Sequence, residues 1–139
     1  MLLLDTSVIV AFYIPEAKSG RVQRLFSSET PLAICPLAEV EFHSAIARLV
    51  RMKAISRSAG LRVIQEFRSH VREKLYAFCA VTQKEYDLAR DWIGSFKTSL
   101  RTLDAVHLAV AQANGVPFVT ADKGLAKAAA MLGVTVEKL

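Results

Sequence analysis

The chain has 139 residues, 53% of them hydrophobic and 22% charged, with a net charge of +5. This composition excludes disorder and a multidomain machine, and it supplies enough apolar side chains for a core without metal or disulfide staples. Cys35 and Cys79 are too few for a disulfide framework; each stands in an apolar context with no second cysteine or histidine at metal-ligand spacing, so both read as buried thiols.

In chain order, short apolar runs alternate with helical patterns. Leu2 to Leu4 predicts a first strand, closed by Asp5, and helical patterns follow over Val8 to Phe12 and Arg21 to Phe26. Phe12, Tyr13 and Ile14 form an apolar cluster before Pro15 that reads first as core, with a dimer contact or partner surface as alternatives. Leu32 to Cys35 predicts a second strand, and Pro36 suits the first turn of a helix over Leu37 to Lys53. A second long helix over Arg57 to Lys74 leads to a third strand over Tyr76 to Val81, then a helix over Lys84 to Ser95. Thr102 is placed to cap a helix that begins at Leu103 and runs through Asp104 to Asn114, where Asn114-Gly115 ends it in a left-handed turn. A strand over Pro117 to Thr120, a helix over Leu125 to Leu132 and a strand over Val134 to Glu137 complete the chain.

No repeat, linker or low-complexity tract interrupts this series, so residues 1–139 read as a single α/β domain with a parallel sheet, right-handed crossovers and helices on both faces. The longest uncharged stretch, between Asp104 and Asp122, contains His107, Gln112, Asn114, Gly115 and Pro117, so no membrane span is expected. Asp5 cuts short the apolar opening and no basic region precedes it, so it reads as a strand rather than a secretory signal, and the cytoplasm is the expected compartment. The positive balance suits a polyanion such as RNA or an ordinary solvated surface equally well.

Four acids fall where this topology gathers them. Asp5 closes the first strand and Asp122 lies just past the fourth, both at the carboxyl edge where open parallel sheets place their sites. Asp104 is in the first turn of a crossover helix, and Glu41 lies about 7 Å along the axis from the start of another. Singly, each has an ordinary explanation in helix capping, dipole complementation or turn shaping. Together they repel unless cations neutralise them or some carboxyls stay protonated, and an all-oxygen set without His or Cys suits Mg²⁺ or Mn²⁺ rather than zinc. Asp104 also shares its helix face with Leu108 and Ala111, a costly place for a carboxylate without a partner. Glu39 competes with Glu41; the two are about 200° apart on their helix, and periodicity does not choose between them.

These residues resemble a known family. Leu3-Leu4-Asp5-Thr6-Ser7, Glu41 followed by Ser44-Ala45-Ile46-Ala47-Arg48, Leu100 to Ala109 around Asp104, and Val119-Thr120-Ala121-Asp122 are similar to the motifs of the PIN domain, and within it of VapC-type toxins, over essentially the whole chain. The resemblance selects Glu41 over Glu39. It implies a three-layer α/β/α fold with a five-stranded parallel sheet in the order 3-2-1-4-5. It further implies a pocket in which Asp5, Glu41, Asp104 and Asp122 hold Mg²⁺ or Mn²⁺, with Thr6 and Thr120 as supporting hydroxyls. The implied activity is metal-dependent endoribonuclease cleavage that leaves 5′-phosphate and 3′-hydroxyl ends; the implied partners are an RNA substrate, a VapB-like antitoxin and a second copy in a homodimer. A non-catalytic RNA-binding PIN domain, or a PIN nuclease of general RNA processing, is the alternative. A haloacid-dehalogenase-like phosphatase lacks its second aspartate here, because Thr6-Ser7 follow Asp5, and a receiver domain lacks its paired acids.

Other polar residues are weaker candidates. Arg101 is a possible contact for an RNA phosphate or simply a surface residue. Arg48 and Arg51 read as partners of nearby acids in preference to RNA contacts. His107, three residues after Asp104, reads as a satisfied buried histidine, and His43 and His70 as structural or exposed. No histidine stands at a recognisable triad spacing from Ser7.

Overall fold

The structure, a computed structural model, describes residues 1–14 and 19–139, so Pro15 lies outside the described residues. The elements are β1 (Leu2–Leu4), α1 (Thr6–Tyr13), α2 (Ser19–Phe26), β2 (Leu32–Ile34), α3 (Pro36–Arg51), α4 (Arg57–Arg72), β3 (Tyr76–Phe78), α5 (Gln83–Gly94), α6 (Thr102–Asn114), β4 (Phe118–Thr120), α7 (Lys123–Met131) and β5 (Val136–Lys138). All strand pairings are parallel, and the order β3-β2-β1-β4-β5 is the expected one. Among the described residues, no helix is long and apolar enough to cross a membrane.

The central strand is apolar at every position because both faces of a parallel sheet are covered. Leu3 and Leu4 are fully buried, and Leu3 stands in register with Ala33 on one side and Phe118 on the other. The edge strands carry exposed residues, Glu137 and Lys138 on β5 and Ala77 and Phe78 on β3. Charges on β5 discourage pairing with another chain. Residues 105–111 of α6 are all buried, and small Ala105 and Ala109 let α5 approach closely, with Trp92 closing this second core cluster.

Tyr13 confirms the core reading of the apolar cluster. Its ring is edge-on to Phe42 and Phe67, with centroids 5.3 and 5.6 Å away. Its hydroxyl lies 2.9 Å from Tyr76 Oη and 2.7 Å from His70 Nδ1, which gives His70 its structural role. Burial pushes the Tyr13 phenol up to about 12.

Several boundaries differ from the sequence reading. The sixth helix begins at Thr102, with Arg101 in the N-cap position; the Ala105 amide donates to the Arg101 carbonyl at 3.0 Å, which draws Thr102 into the first turn. β3 stops at Phe78 and β5 starts only at Val136. Val134 belongs instead to the turn that ends α7, its amide donating back to the Ala129 carbonyl after Gly133 at φ +75°. The left-handed end at Gly115 (φ +60°) and Pro36 in the first turn of α3 are as expected.

Candidate active site

Asp5 is the first residue past β1 and occupies the N-cap position of α1. Its side chain does not cap that helix. Oδ2 instead accepts hydrogen bonds from Ser7 Oγ at 2.5 Å and from Thr120 Oγ1 at 2.7 Å. Thr120 closes β4, next to β1, and is fully buried; its hydroxyl oxygen also accepts from the Asp122 amide at 3.0 Å. One threonine therefore ties the acid at the end of β1 to the backbone of the acid after β4. Asp122 caps α7, with Oδ1 accepting from the Gly124 and Leu125 amides at 2.7 and 3.0 Å.

Glu41 lies in the second turn of α3 and turns toward α1 and α6. Its Oε1 accepts from Thr6 Oγ1 at 2.9 Å and from His107 Nε2. The other imidazole nitrogen, Nδ1, lies 3.5 Å from Cys35 Sγ. Burial favours the neutral Glu41 carboxyl, but the hydrogen bond and charge of His107, the Thr6 hydroxyl and the Arg101 charge together hold it below the usual carboxylate range. Burial likewise disfavours charge on His107, yet its bonds to Cys35 and Glu41 outweigh this and raise it to about 10.

Asp104, half-buried in the first turn of α6, accepts from Arg101 Nε at 3.1 Å on Oδ2. It shares a cleft of about 330 Å³ with Glu41, Arg101, Thr102 and Leu103. It lines a second, of about 140 Å³, with Asp122, Arg101 and Gly124. Asp104 thus stands between the Glu41 side and the Asp122 side of one edge. Among the described residues, each of the four acids takes its side-chain hydrogen bonds on one carboxylate oxygen and leaves the other without a protein donor.

The four acids and the two threonines lie along one edge of the sheet, linked through Thr120 and through Thr6, and Glu41, not Glu39, turns to the neighbouring elements. No group of three or more His, Cys, Asp or Glu among the described residues is close enough to cage an ion. Protein cations, hydroxyls and, for Asp122, backbone amides satisfy the acids separately. The donor chemistry nonetheless fits Mg²⁺ or Mn²⁺, since Mg²⁺ binds through one or two carboxylates and keeps several waters, and the free oxygens are the donors it takes.

One reading is corrected. Arg48 and Arg51 form no ion pair among the described residues, because no acid lies within 4 Å of their exposed ends. Arg101, by contrast, is paired with Asp104, though its side chain remains 82% exposed. His107 is buried and satisfied, as expected, but one of its partners is a candidate site residue, which the sequence reading missed. Its spacing from Asp104 was visible; its partner Glu41, 66 residues away, was not. His43 hydrogen-bonds only locally, its Nδ1 donating to the Glu39 carbonyl at 2.7 Å.

A sequence model of the PIN domain matches residues 2–131. The chain is 32% identical to ribonuclease VapC46 of Mycobacterium tuberculosis over 136 residues, which is 96% of this chain and 93% of the relative. Among solved structures it is similar to Mycobacterium tuberculosis VapC20, a Sarcin-Ricin loop cleaving toxin, with a TM-score of 0.71 and 20% identity over 92% of this chain and 95% of that one. A chain from the structure of VapBC2 from Rickettsia felis, bound to a DNA fragment from their promoter, also gives a TM-score of 0.71, at 13% identity over 99% and 98% of the two chains. At these identities the structural likeness is one of fold.

Proposed function

Because the chain belongs to the PIN-domain family, and within it to the VapC-type proteins, we propose that it is a Mg²⁺- or Mn²⁺-dependent endoribonuclease that serves as the toxin of a VapBC-type pair. The observation that carries this reading is the carboxylate edge itself. Asp5 and Asp122 are joined through Thr120, Glu41 is held by Thr6 and His107, and Asp104 faces a cleft on each side.

Asp5, Asp104 and Asp122 are the candidates to hold the metal, with Glu41 binding it directly, through water, or accepting a proton. A bound divalent cation lowers the pKa of water and offsets negative charge developing on a phosphate. The chain's own residues prepare this chemistry. Ser7 and Thr120 fix Asp5 Oδ2 and leave Oδ1 free; Thr6 and His107 fix Glu41 Oε1 and leave Oε2 free. Fixing the acids beforehand reduces the reorganisation that the reaction would otherwise require. Arg101, exposed at the mouth, neutralises Asp104 and is within its own side chain's reach of an entering phosphate.

The test is cleavage of a panel of structured RNAs in Mg²⁺ or Mn²⁺, with a chelator control and the variants Asp5→Asn and Asp104→Asn. Discrete cleavage abolished by each of the three supports the reading. Cleavage that survives them overturns it, and tight binding without cleavage favours the non-catalytic RNA-binding domain. The VapBC2 relative supports a VapB-like antitoxin as partner, and relief of growth arrest on co-expression is the corresponding test. A homodimer and a cytoplasmic location belong to the same proposal.

A further inference from the structure

The charge of this protein is concentrated in one place. Residues 48–74, the end of α3, the turn and all of α4, contain eight Lys or Arg and two Glu, a net charge of +6. The whole chain carries +5, so the remaining 112 residues are net −1. Arg48, Arg51, Arg57, Arg62, Arg68 and Arg72 are all exposed, and none forms an ion pair or side-chain hydrogen bond among the described residues. Of the four arginines elsewhere, two are paired, Arg90 with Asp87 and Asp91 and Arg101 with Asp104, while Arg21 and Arg24 on α2 are exposed without an ion pair among the described residues.

Helix geometry aligns these charges. At 100° per residue, Arg57, Arg68 and Arg72 fall within about 60° of one another on α4, in a stripe about 22 Å long. On α3, Arg48 and Arg51 follow Glu41 by about 10 and 15 Å along the axis. Six of the eight cations are arginine, whereas lysines outnumber arginines in the rest of the chain. The planar guanidinium fork suits phosphate oxygens.

We propose that the α3–α4 hairpin is a docking platform for the phosphate backbone of structured RNA, separate from the carboxylate edge and adjoining it through α3. The inference rests on the ribonuclease reading only for the statement that this RNA is the substrate. An acidic amphipathic helix is the other occupant to consider, in the apolar groove of about 340 Å³ between the helices. That groove is rimmed by Arg51 and Arg57 alone; the other four arginines lie outside its lining. A charge spread over both helices fits a polyanion whose own charge is distributed.

The experiment compares the full chain with the variant Arg57→Gln/Arg68→Gln/Arg72→Gln, and with Lys84→Gln/Lys97→Gln/Lys127→Gln, which removes equal charge elsewhere. Circular dichroism melts check that both fold. Binding of a fluorescein-labelled RNA hairpin is followed by anisotropy across a KCl series in the absence of divalent metal. Loss of three phosphate contacts predicts a salt slope smaller by about 2 to 3 and an affinity at least about tenfold weaker for the arginine variant, with the lysine control within about twofold of the native chain. In cleavage assays KM rises and kcat holds. An unchanged slope and affinity in the arginine variant overturns the proposal. So does loss of binding to a Glu-rich amphipathic helical peptide while RNA binding persists, which assigns the surface to a protein partner. Native cleavage in the same assays reports on the ribonuclease reading independently: failure to cleave with stripe-dependent binding refutes that reading alone, and cleavage indifferent to the stripe refutes the platform alone.

Discussion

Replacing His107 with leucine probes the link between the core and the carboxylate edge. His107 is 1% exposed, and its Nε2 donates to Glu41 Oε1. Leucine has a similar volume and no donor, leaving the half-buried carboxylate with Thr6 alone. A hydrogen bond to a charged group is worth about 1.5–3 kcal/mol, part of which is offset because leucine removes the cost of burying the imidazole. The expected net loss is about 2 kcal/mol near pH 6. The histidine is raised from 6.5 to about 10, so its contribution is complete below 6.5 and disappears as the pH rises through about 10. Glu41 is lowered from 4.5, so its contribution is present above 4.5 and disappears as the pH falls through its folded value. The pair therefore stabilises most between about pH 4.5 and 6.5. Urea unfolding of the chelator-treated protein, followed by the fluorescence of Trp92 against α6, reads this directly. With a urea slope of about 2 kcal/mol per M, the midpoint falls by about 1 M at pH 6, and the gap between native and variant narrows at pH 9. An equal loss at both pH values would mean that His107 acts by packing alone, and no loss at either would refute the link altogether.

Thr120→Val keeps the shape of a fully buried side chain but removes the donor to Asp5 and the acceptor for the Asp122 amide; calorimetry should show a loss of about 1.5–3 kcal/mol, and an unchanged melting temperature would contradict the bridge. Gly60→Ala places a Cβ 2.7 Å from Val50 Cγ2, and crowding of about 1–3 kcal/mol exceeds the roughly 1 kcal/mol gained in helix propensity. Its destabilisation should be relieved by adding Val50→Ala, whereas persistence in the double variant would place the strain elsewhere. Glu85→Ala deletes the acceptor for the Thr82 amide and hydroxyl, both at 2.6 Å, at a cost of about 1 kcal/mol. Those Thr82 bonds hold Glu85 low, so the deficit is present above the ordinary carboxylate pKa and closes as the pH falls through the folded value; a pH-independent deficit speaks against the capping box.

The alternation of short apolar runs with helical patterns determined the elements and the parallel sheet, because a strand buried on both faces has no other composition open to it. Local chemistry also placed Pro36 in the first turn of α3 and Gly115 at the end of α6, since proline's fixed φ and glycine's tolerance of positive φ act within a few residues. The helix start at Thr102 escaped it, because a threonine that can cap can equally sit in the first turn when the preceding residue is extended. The motif resemblance chose Glu41 where periodicity could not. Tertiary structure alone decided which distant donors hold two of the acids: Thr120 for Asp5 across 115 residues, and His107 for Glu41 across 66. It also left Arg48 and Arg51 without an acid partner among the described residues, whereas Arg101 pairs locally with Asp104, three residues on. Helical and strand periodicity constrain direction within an element, whereas a side chain's partner depends on how separate elements pack, and that information is distributed over the whole chain.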